Sequence, residues 1–253
     1  MKKIVKKIVK SSGYEIRKKG SFDEQPEFPS DFTKSDIEII KKVRPFTLTS
    51  NERINTLLQA TKYVVRNNIL GDIIECGVWK GGSMMAVALT LLKEDRQDKD
   101  LYLFDTYEGM SKPTEYDISF EGKKADNQFE ENKKSEDSSD WCFASLDEVK
   151  QNVVNTGYNL EKIHFVKGKV ENTLPKFAPK QISLLRLDTD WYESTKHELI
   201  HLFPRLVQGG VLILDDYGYW QGAKKAVDEY FSQNNTKILL NRIDQTGRIA
   251  IKI

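Results

Sequence analysis

The sequence predicts an α/β fold, in which a mostly parallel sheet ends in a C-terminal antiparallel hairpin and has helices on both faces. From residue 72 onward, short aliphatic runs alternate with helical segments, a pattern typical of parallel βαβ units. Several of these runs end in a glycine or an acidic residue, as strands do where a parallel sheet binds ligands at its carboxyl edge. With 253 residues, 39% of them hydrophobic, the chain can form the core of one large α/β domain.

Residues 1–20 form a basic amphipathic segment at the amino terminus. They contain eight Lys and Arg residues against Glu15 alone, a net charge of +7. An apolar stripe recurs among these lysines at helical spacing and consists of Ile4, Val5, Ile8 and Val9. Two interpretations stay open: a segment that docks on a membrane surface or a partner, and a solvated terminal helix.

Residues 21–70 are predicted to form an N-terminal helical or lid region. Three prolines interrupt its first part, and a short helix is expected over residues 36–43. A longer helix starts at Ser50, a residue type that caps helices well. The apolar face of this longer helix consists of Ile54, Leu57, Leu58, Thr61 and Val65.

Residues 71–253 carry the alternating pattern that predicts the parallel sheet. The five expected strands lie at residues 72–78, 101–105, 163–166, 182–188 and 211–216. The expected helices lie at residues 84–92, 145–155, 193–206 and 221–232. The hairpin is expected from residues 237–242 and 248–253. Residues 111–141 are polar and short of core-forming aliphatics, so we expect a variable insertion or a mobile lid there.

The composition disfavours several classes of protein. The formal net charge of +1 gives no reason to expect nucleic-acid binding. No apolar run approaches the roughly 20 residues that span a bilayer. The two cysteines, Cys76 and Cys142, match neither a disulfide framework nor a zinc-site spacing. A cytoplasmic protein is predicted, with residues 1–20 as the segment that could hold it at a membrane.

Three strand ends predict a site for a nucleoside-bearing cofactor. Gly77 and then Gly81-Gly82 follow the first strand, and glycines at a helix start let the backbone approach a ligand closely. Asp105 ends the second strand, where an acidic side chain can bind a ribose diol. Gly168, after the third strand, suits the neighbourhood of an adenine ring. The dinucleotide fingerprint and the phosphate-binding P-loop do not occur, which disfavours dinucleotides and nucleoside triphosphates.

Four carboxylates follow the fourth and fifth strands and are the strongest functional signal in the sequence. Asp188 and Asp190 follow one strand, and Asp215 and Asp216 follow the other. Crowded carboxylates raise one another's pKa unless a cation neutralises them, and a hard, oxygen-preferring ion such as Mg²⁺ suits this set. The alternative is that aspartates follow strands for turn reasons alone, which explains two such pairs less well.

A divalent ion beside the cofactor suggests that a substrate hydroxyl binds the ion and loses its proton more readily. A carboxylate that is not a ligand can then act as the general base, and Asp190 is the candidate. His197 and His201 compete for this role. They recur at i, i+4 on the following helix, where packing or surface positions are the commoner outcome.

Several motifs resemble the macrocin O-methyltransferase (TylF/MycF-type) family. They are ECGVWKGGS at residues 75–83, LFDTYEGM at 103–110, DTDWYEST at 188–195 and DDY at 215–217, with RPFTLTS at 44–50 as a pre-core segment. The resemblance covers residues 36–253. It implies a Rossmann-like class I methyltransferase that uses S-adenosylmethionine as donor and Mg²⁺ as cofactor to methylate a sugar hydroxyl.

The same resemblance implies roles for individual residues. The implied metal ligands are Asp188, Asp215 and Asp216, and Asp190 is the implied base. The implied cofactor contacts are Glu75, Gly77, Val78, Ser83, Asp105 and Thr106, with Thr47, Thr49 and Ser50 over the methionine end. Residues 20–46 and 111–141 would shape the acceptor pocket, and a homo-oligomer is expected because relatives often assemble.

Residues 1–20 lie outside these motifs, which favours an acceptor at a membrane, such as a lipid-linked glycan or a surface polysaccharide, over a small antibiotic. Two other functions stay open. A catechol-type O-methyltransferase that acts on a phenolic diol shares the metal chemistry and differs in its acceptor pocket. A catalytically silent module that binds the cofactor or a glycan would lack one or more of the metal-site carboxylates, whereas all four are present here.

Overall fold

A computed structural model of the chain describes residues 28–253 and contains a seven-stranded sheet. The strands are β1 (Asp72–Cys76), β2 (Leu101–Asp105), β3 (Ile163–Lys167), β4 (Ile182–Leu187), β5 (Leu206–Leu214), β6 (Asn241–Arg242) and β7 (Arg248–Ile251). Their order is β3-β2-β1-β4-β5-β7-β6. Strands β1 to β5 are parallel, and β7 pairs antiparallel with both β5 and β6, so the expected sheet and hairpin are confirmed.

The helices alternate with the strands, as the sequence pattern predicts. They are α1 (Lys34–Val43), α2 (Asn51–Arg66), α3 (Gly82–Lys93), α4 (Ala125–Glu131), α5 (Leu146–Val154), α6 (Val170–Thr173), α7 (Tyr192–Leu202) and α8 (Gln221–Gln233). Ser50 caps α2, since its hydroxyl accepts the amide of Arg53 at 3.1 Å. The apolar face expected for this helix is buried along its whole length.

Most element boundaries differ from the sequence prediction by one or two residues, and three differ by more. The helix expected at 193–206 ends at Leu202, because a 3-10 turn at Phe203–Arg205 precedes β5. Strand β5 begins at Leu206 and runs through the glycine pair that we expected to precede it. The amide of Gly209 donates to the carbonyl of Lys252 at 2.7 Å, so pairing with the last strand keeps this glycine pair in the sheet. The hairpin is shorter than expected, at two and four residues.

The two faces of the central strands have different partners. One face of β1 and β4, which includes Cys76 and Leu187, packs in a core cluster with residues of α7 and α8 such as Leu199. The other face carries Glu75 and Arg186, which are register partners and form an ion pair at 2.5 Å. Helices therefore lie on both faces: α7 and α8 pack against this core cluster, and α2 contacts β4 and β5 on the face that carries the buried charge pair.

Residues 111–141 lie near the carboxyl edge of the sheet and contact the starts of α7 and α8. They contain α4, whose Phe129 is buried, and Ser119 forms an isolated β-bridge with Trp220. Asp117 is buried too and accepts the amide of Tyr192 at 2.8 Å. The segment is thus packed against α7 and the start of α8, and its movement as a lid stays a prediction.

The basic segment 1–20 and residues 21–27 lie outside the described residues. The docking interpretation of that segment therefore stays a prediction. Among residues 28–253, no helix is both long enough and apolar enough to cross a membrane.

Candidate active site

A cavity of about 460 Å³ opens at the carboxyl ends of β1, β2, β4 and β5. Parallel sheets bind ligands at this edge because each strand delivers a loop there. Most of the residues singled out from the sequence line it. They are Thr47, Thr49, Gly77, Val78, Ser83, Asp105, Asp188, Asp190, Asp215 and Asp216.

Thr106 and Gly168, two other expected cofactor residues, line a smaller cavity of about 60 Å³. This second cavity shares Gly77, Asp105 and Asp188 with the first one. The residues expected near the ribose and the adenine ring therefore lie on one side of the four carboxylates.

Asp105 connects the two loops on that side. Its Oδ2 atom accepts the amides of Val78 at 2.7 Å and Trp79 at 3.0 Å, and its Oδ1 accepts the amide of Tyr107 at 2.7 Å. Burial raises the pKa of Asp105, and these backbone donors act in the opposite direction. The Thr106 hydroxyl also lies 3.4 Å from Oδ1, while it donates to the carbonyl of Gly109 at 2.7 Å, so only the last of about four acceptor positions of Asp105 is weakly occupied.

Glu75 and Ser50 do not line either cavity. Glu75 is fully buried, pairs with Arg186, and has a pKa raised to about 7 because burial outweighs the effect of the guanidinium. Ser50 donates to Asp244 at 2.7 Å as well as capping α2. The structure therefore places both residues behind the wall of the cavity rather than in it.

The three expected metal ligands lie together. Ligand oxygens of Asp188, Asp215 and Asp216 are all within 4.8 Å of one another. The Oδ2 atom of Asp216 is buried and has no hydrogen-bond partner among the described residues. Burial first, and then the neighbouring carboxylates, raise the pKa of both Asp188 and Asp216. An orphaned oxygen in a cluster of carboxylates is what a hard cation would satisfy.

Two arginines contact this cluster. Arg186 is 3% exposed and donates to Asp188 at 2.7 Å and to Asp215 at 2.5 Å. Arg53, from α2, pairs with the second oxygen of Asp215 and with Asp244 at 2.9 Å. Both oxygens of Asp215 therefore have a guanidinium partner.

Asp190 lies beside the cluster in a left-handed backbone conformation, with φ at 68°. Its Oδ1 atom accepts the indole N–H of Trp220 at 3.0 Å. Burial, followed by the charge of Asp188, raises the pKa of Asp190 to about 8. A carboxyl group in this position can exchange a proton near neutral pH, as a general base must.

The far wall of the cavity is aromatic and contains a thiol. Trp141 and Trp220 lie 6.2 Å apart between ring centroids, and Tyr219 lies 4.9 Å from Trp220. Cys142 also lines the cavity, and burial, together with Asp190, raises the pKa of its thiol to about 12. His197 and His201 line neither cavity, and their rings lie 4.4 Å apart on α7, which is the packing position expected for them.

Sequence reasoning missed the two arginines and the aromatic wall. A signal existed for Arg186, since a charged residue interrupts the otherwise aliphatic β4 and buried charges require partners. No comparable signal existed for Arg53, which follows the helix cap as an ordinary polar residue. Trp220 precedes α8, where it forms a bridge with Ser119 and donates to Asp190, and local sequence does not reveal these contacts.

Comparison with known proteins gives the same family as the motifs. A family model described as macrocin-O-methyltransferase (TylF) matches residues 4–250. The chain is 30% identical over 201 residues to demethyldecarbamoylnovobiocin O-methyltransferase of Streptomyces niveus, covering 79% of the chain and 73% of that protein. It is 27% identical, over 79% of the chain and 73% of the relative, to 8-demethyl-8-(2,3-dimethoxy-alpha-L-rhamnosyl)-tetracenomycin-C 4'-O-methyltransferase of Streptomyces olivaceus.

A solved structure, that of the O-methyltransferase NovP, superposes with a TM-score of 0.71 at 29% identity and covers 82% of each chain. One sequence-based expectation needs correction. The family match begins at residue 4 rather than near residue 36, so most of the basic segment falls within the matched region. Residues 1–20 therefore do not set the chain apart from this family, and an acceptor at a membrane stays a prediction.

Proposed function

Because the chain belongs to the macrocin O-methyltransferase family, we propose that it transfers the methyl group of S-adenosylmethionine to a sugar hydroxyl of a glycan or glycosylated natural product. It is an S-adenosylmethionine-dependent O-methyltransferase, and its relatives are O-methyltransferases by name. The name of the Streptomyces olivaceus relative specifies a rhamnosyl-bearing substrate. A sugar hydroxyl is accordingly the acceptor that we propose here.

One observation carries this proposal more than any other. A single cavity holds the expected base Asp190, the three expected metal ligands and the glycine-rich loop after β1. Methyl transfer needs a donor, an acceptor oxygen and a proton acceptor in one place, and correct placement alone contributes much of the rate acceleration. The arrangement fits all three requirements.

We propose that the cofactor lies on the side of Gly77 and Asp105. Thr106 and Gly168 extend this surface into the smaller cavity, and Val78, Ser83, Thr47 and Thr49 complete it. Glu75 would act from behind the wall, by holding Arg186 in place. S-adenosylmethionine supplies an electrophilic methyl group, and the chain supplies polar and backbone groups that hold its donor atom near the acceptor.

We propose Asp188, Asp215 and Asp216 as the ligands of a divalent ion, with Mg²⁺ the ion that this oxygen-only set suits best. Such an ion would lower the pKa of an acceptor hydroxyl and fix its oxygen. Arg186 holds Asp188 and Asp215 through one oxygen each, and the second oxygen of Asp215 pairs with Arg53.

Asp190 is the proposed general base. It would take the proton from the acceptor hydroxyl as the oxygen attacks the methyl carbon, with S-adenosylhomocysteine as the product of the donor. The indole of Trp220 holds the Oδ1 atom of Asp190, and the carboxyl of Asp216 also hydrogen-bonds this group, so both contacts orient the proposed base. We propose residues 71–253 as the methyltransferase domain, with residues 111–141 as a variable lid insertion and residues 21–70 as an N-terminal helical or lid region. Contact of residues 1–20 with a membrane and a homo-oligomer are further proposals.

The acceptor class can be tested with radiolabelled S-adenosylmethionine. We expect label to transfer to glycosides that carry vicinal hydroxyls, and only weakly to simple catechols, because the proposed acceptor is a sugar. The measurement is the kcat/KM for each acceptor at the same Mg²⁺ concentration. A higher kcat/KM for catechols would favour the phenolic alternative, and loss of transfer to every acceptor would favour a catalytically silent module.

The metal requirement can be tested by removing divalent ions. EDTA is expected to abolish turnover, and excess Mg²⁺ to restore it, because the acceptor hydroxyl would lose the cation that lowers its pKa. EDTA that is saturated with Mg²⁺ before addition is the matched control. An unchanged rate after exhaustive treatment with EDTA would contradict the metal assignment while leaving methyl transfer intact.

A further inference from the structure

Asp215 differs from the other carboxylates of the cluster because both of its oxygens are paired within the protein. Arg186 binds Oδ1 at 2.5 Å, and Arg53 binds Oδ2. A cation that uses Asp215 as a ligand must therefore share an oxygen with a guanidinium or displace one. The two arginines are not equivalent in this respect.

Arg186 is fixed. It is 3% exposed, lies within β4, and also binds Glu75, Asp188 and the hydroxyl of Thr49. Moving it would leave several buried polar groups without partners, which is costly. Arg186 therefore orients Asp215 in both the metal-free and the metal-bound enzyme.

Arg53 can move. It belongs to the first turn of α2, and its side chain is 16% exposed and lines the cavity. It already has a second partner, since its Nε atom binds Asp244 at 2.9 Å. Asp244 in turn is held by the amides of Thr246 at 2.9 Å and Gly247 at 2.8 Å. Arg53 can release Asp215 and remain paired with this anchored carboxylate.

From this asymmetry we infer that Arg53 is an internal counter-cation that competes with the divalent ion for Asp215. In the metal-free enzyme, its guanidinium neutralises the oxygen that the ion needs. When the ion binds, Arg53 gives up Asp215, keeps Asp244, and leaves its freed N–H groups facing the cavity where the acceptor binds. The inference rests on the metal site of the proposed function, and it adds that the affinity of this site is held down by a residue of α2.

Competition makes a prediction of unusual sign, namely that removing a positively charged residue tightens metal binding. If Arg53 pairs with Asp215 in about nine molecules of ten, only about one molecule in ten can bind the ion, and the apparent affinity is about tenfold lower than it would be otherwise. Removal of Arg53 would therefore raise the apparent affinity about tenfold. We expect Arg53→Gln to bind Mn²⁺, used as the probe for Mg²⁺, about tenfold more tightly than the wild type. Free Mn²⁺ is measured by electron paramagnetic resonance, without cofactor or acceptor.

The thermal stability of the same variant is a second measurement, and here the substitution is expected to be unfavourable when no ion is bound. In EDTA, Arg53→Gln is expected to unfold at a lower temperature than the wild type, because the Oδ2 atom of Asp215 loses its partner. Added Mn²⁺ should then raise the Tm of the variant more than that of the wild type. Arg66→Gln, on the same helix and in a salt bridge whose arginine side chain is 63% exposed, is the matched control and should change neither quantity appreciably.

Asp244→Asn tests the inference without removing Arg53. The substitution weakens the alternative partner, so Arg53 should stay on Asp215 and Mn²⁺ should bind more weakly. In the Arg53→Gln background, the same substitution should have little effect on Mn²⁺ binding, because Asp244 would act on the metal site only through Arg53. The double-mutant cycle measures this coupling.

Three outcomes would overturn the inference. Unchanged or weaker binding of Mn²⁺ to Arg53→Gln would show that Arg53 does not compete. An equal effect of Asp244→Asn in both backgrounds would show that Asp244 acts independently of Arg53. If neither the wild type nor Arg53→Gln binds Mn²⁺, the metal site of the proposed function and this inference both fail, whereas binding to the wild type without a change in the variant refutes the inference alone.

Discussion

Gly77→Ala is expected to remove most of the activity, through the structure of the loop after β1. Gly77 has a φ of 82°, and a Cβ atom there would lie 2.0 Å from the carbonyl oxygen of Asp188. The left-handed conformation alone costs alanine about 1–2 kcal/mol. Relief of the overlap must move the backbone of a proposed metal ligand, and a displacement of about 1 Å near reacting groups can lower the rate about 100-fold.

The control for this substitution isolates the clash from the backbone strain. Gly157 has a φ of 84°, and a Cβ atom there would meet nothing within 4 Å. Gly157→Ala should therefore lower the Tm slightly and leave kcat/KM near that of the wild type. Turnover and thermal unfolding are measured for both variants. Equal behaviour of the two would mean that the approach of Gly77 to Asp188 has no functional importance.

Asp190→Asn is expected to lower kcat by about 10²–10⁴-fold, the usual contribution of a positioned general base. The variant should keep its fold, because asparagine tolerates the left-handed conformation and its amide oxygen can still accept the indole N–H of Trp220. Binding of S-adenosylmethionine, measured by calorimetry, should stay near that of the wild type. The pairing of a large loss in kcat with intact cofactor binding identifies a residue that acts on the acceptor.

A matched substitution exists for this experiment too. Asp95 is exposed, has a φ of 53° and lines neither cavity, so Asp95→Asn repeats the chemical change in the same backbone region far from the site. It should leave kcat unchanged. A comparable loss of cofactor affinity in Asp190→Asn would instead make Asp190 a binding or structural residue.

The sequence was informative where the chemistry follows from the position of a residue along a strand. Asp188 and Asp215 follow adjacent parallel strands, so their proximity could be deduced without coordinates. The cap at Ser50 and the apolar face of α2 were equally predictable, because helix ends and helical periodicity are local properties. Local rules therefore gave most of the sheet and most of the cavity.

Contacts between distant parts of the chain could not be predicted in this way. Arg53 meets Asp215 across 162 residues of sequence, and Trp220 meets Asp190 across 30. Glu75 was expected to touch the cofactor, and the structure shows it paired with its register partner Arg186 and lining neither cavity. Such pairings depend on how helices and strands pack, and no periodic pattern records them.

The thiol in the wall of the cavity has a consequence for the durability of the enzyme. A sulfonium methyl donor alkylates thiolates readily, so a cysteine within its reach is a potential site of self-methylation and slow inactivation. Burial and the neighbouring carboxylates raise the pKa of Cys142 to about 12, which favours the thiol over the reactive thiolate near neutral pH. The burial and the carboxylates that surround the proposed acceptor site are thus expected to disfavour methylation of the enzyme itself.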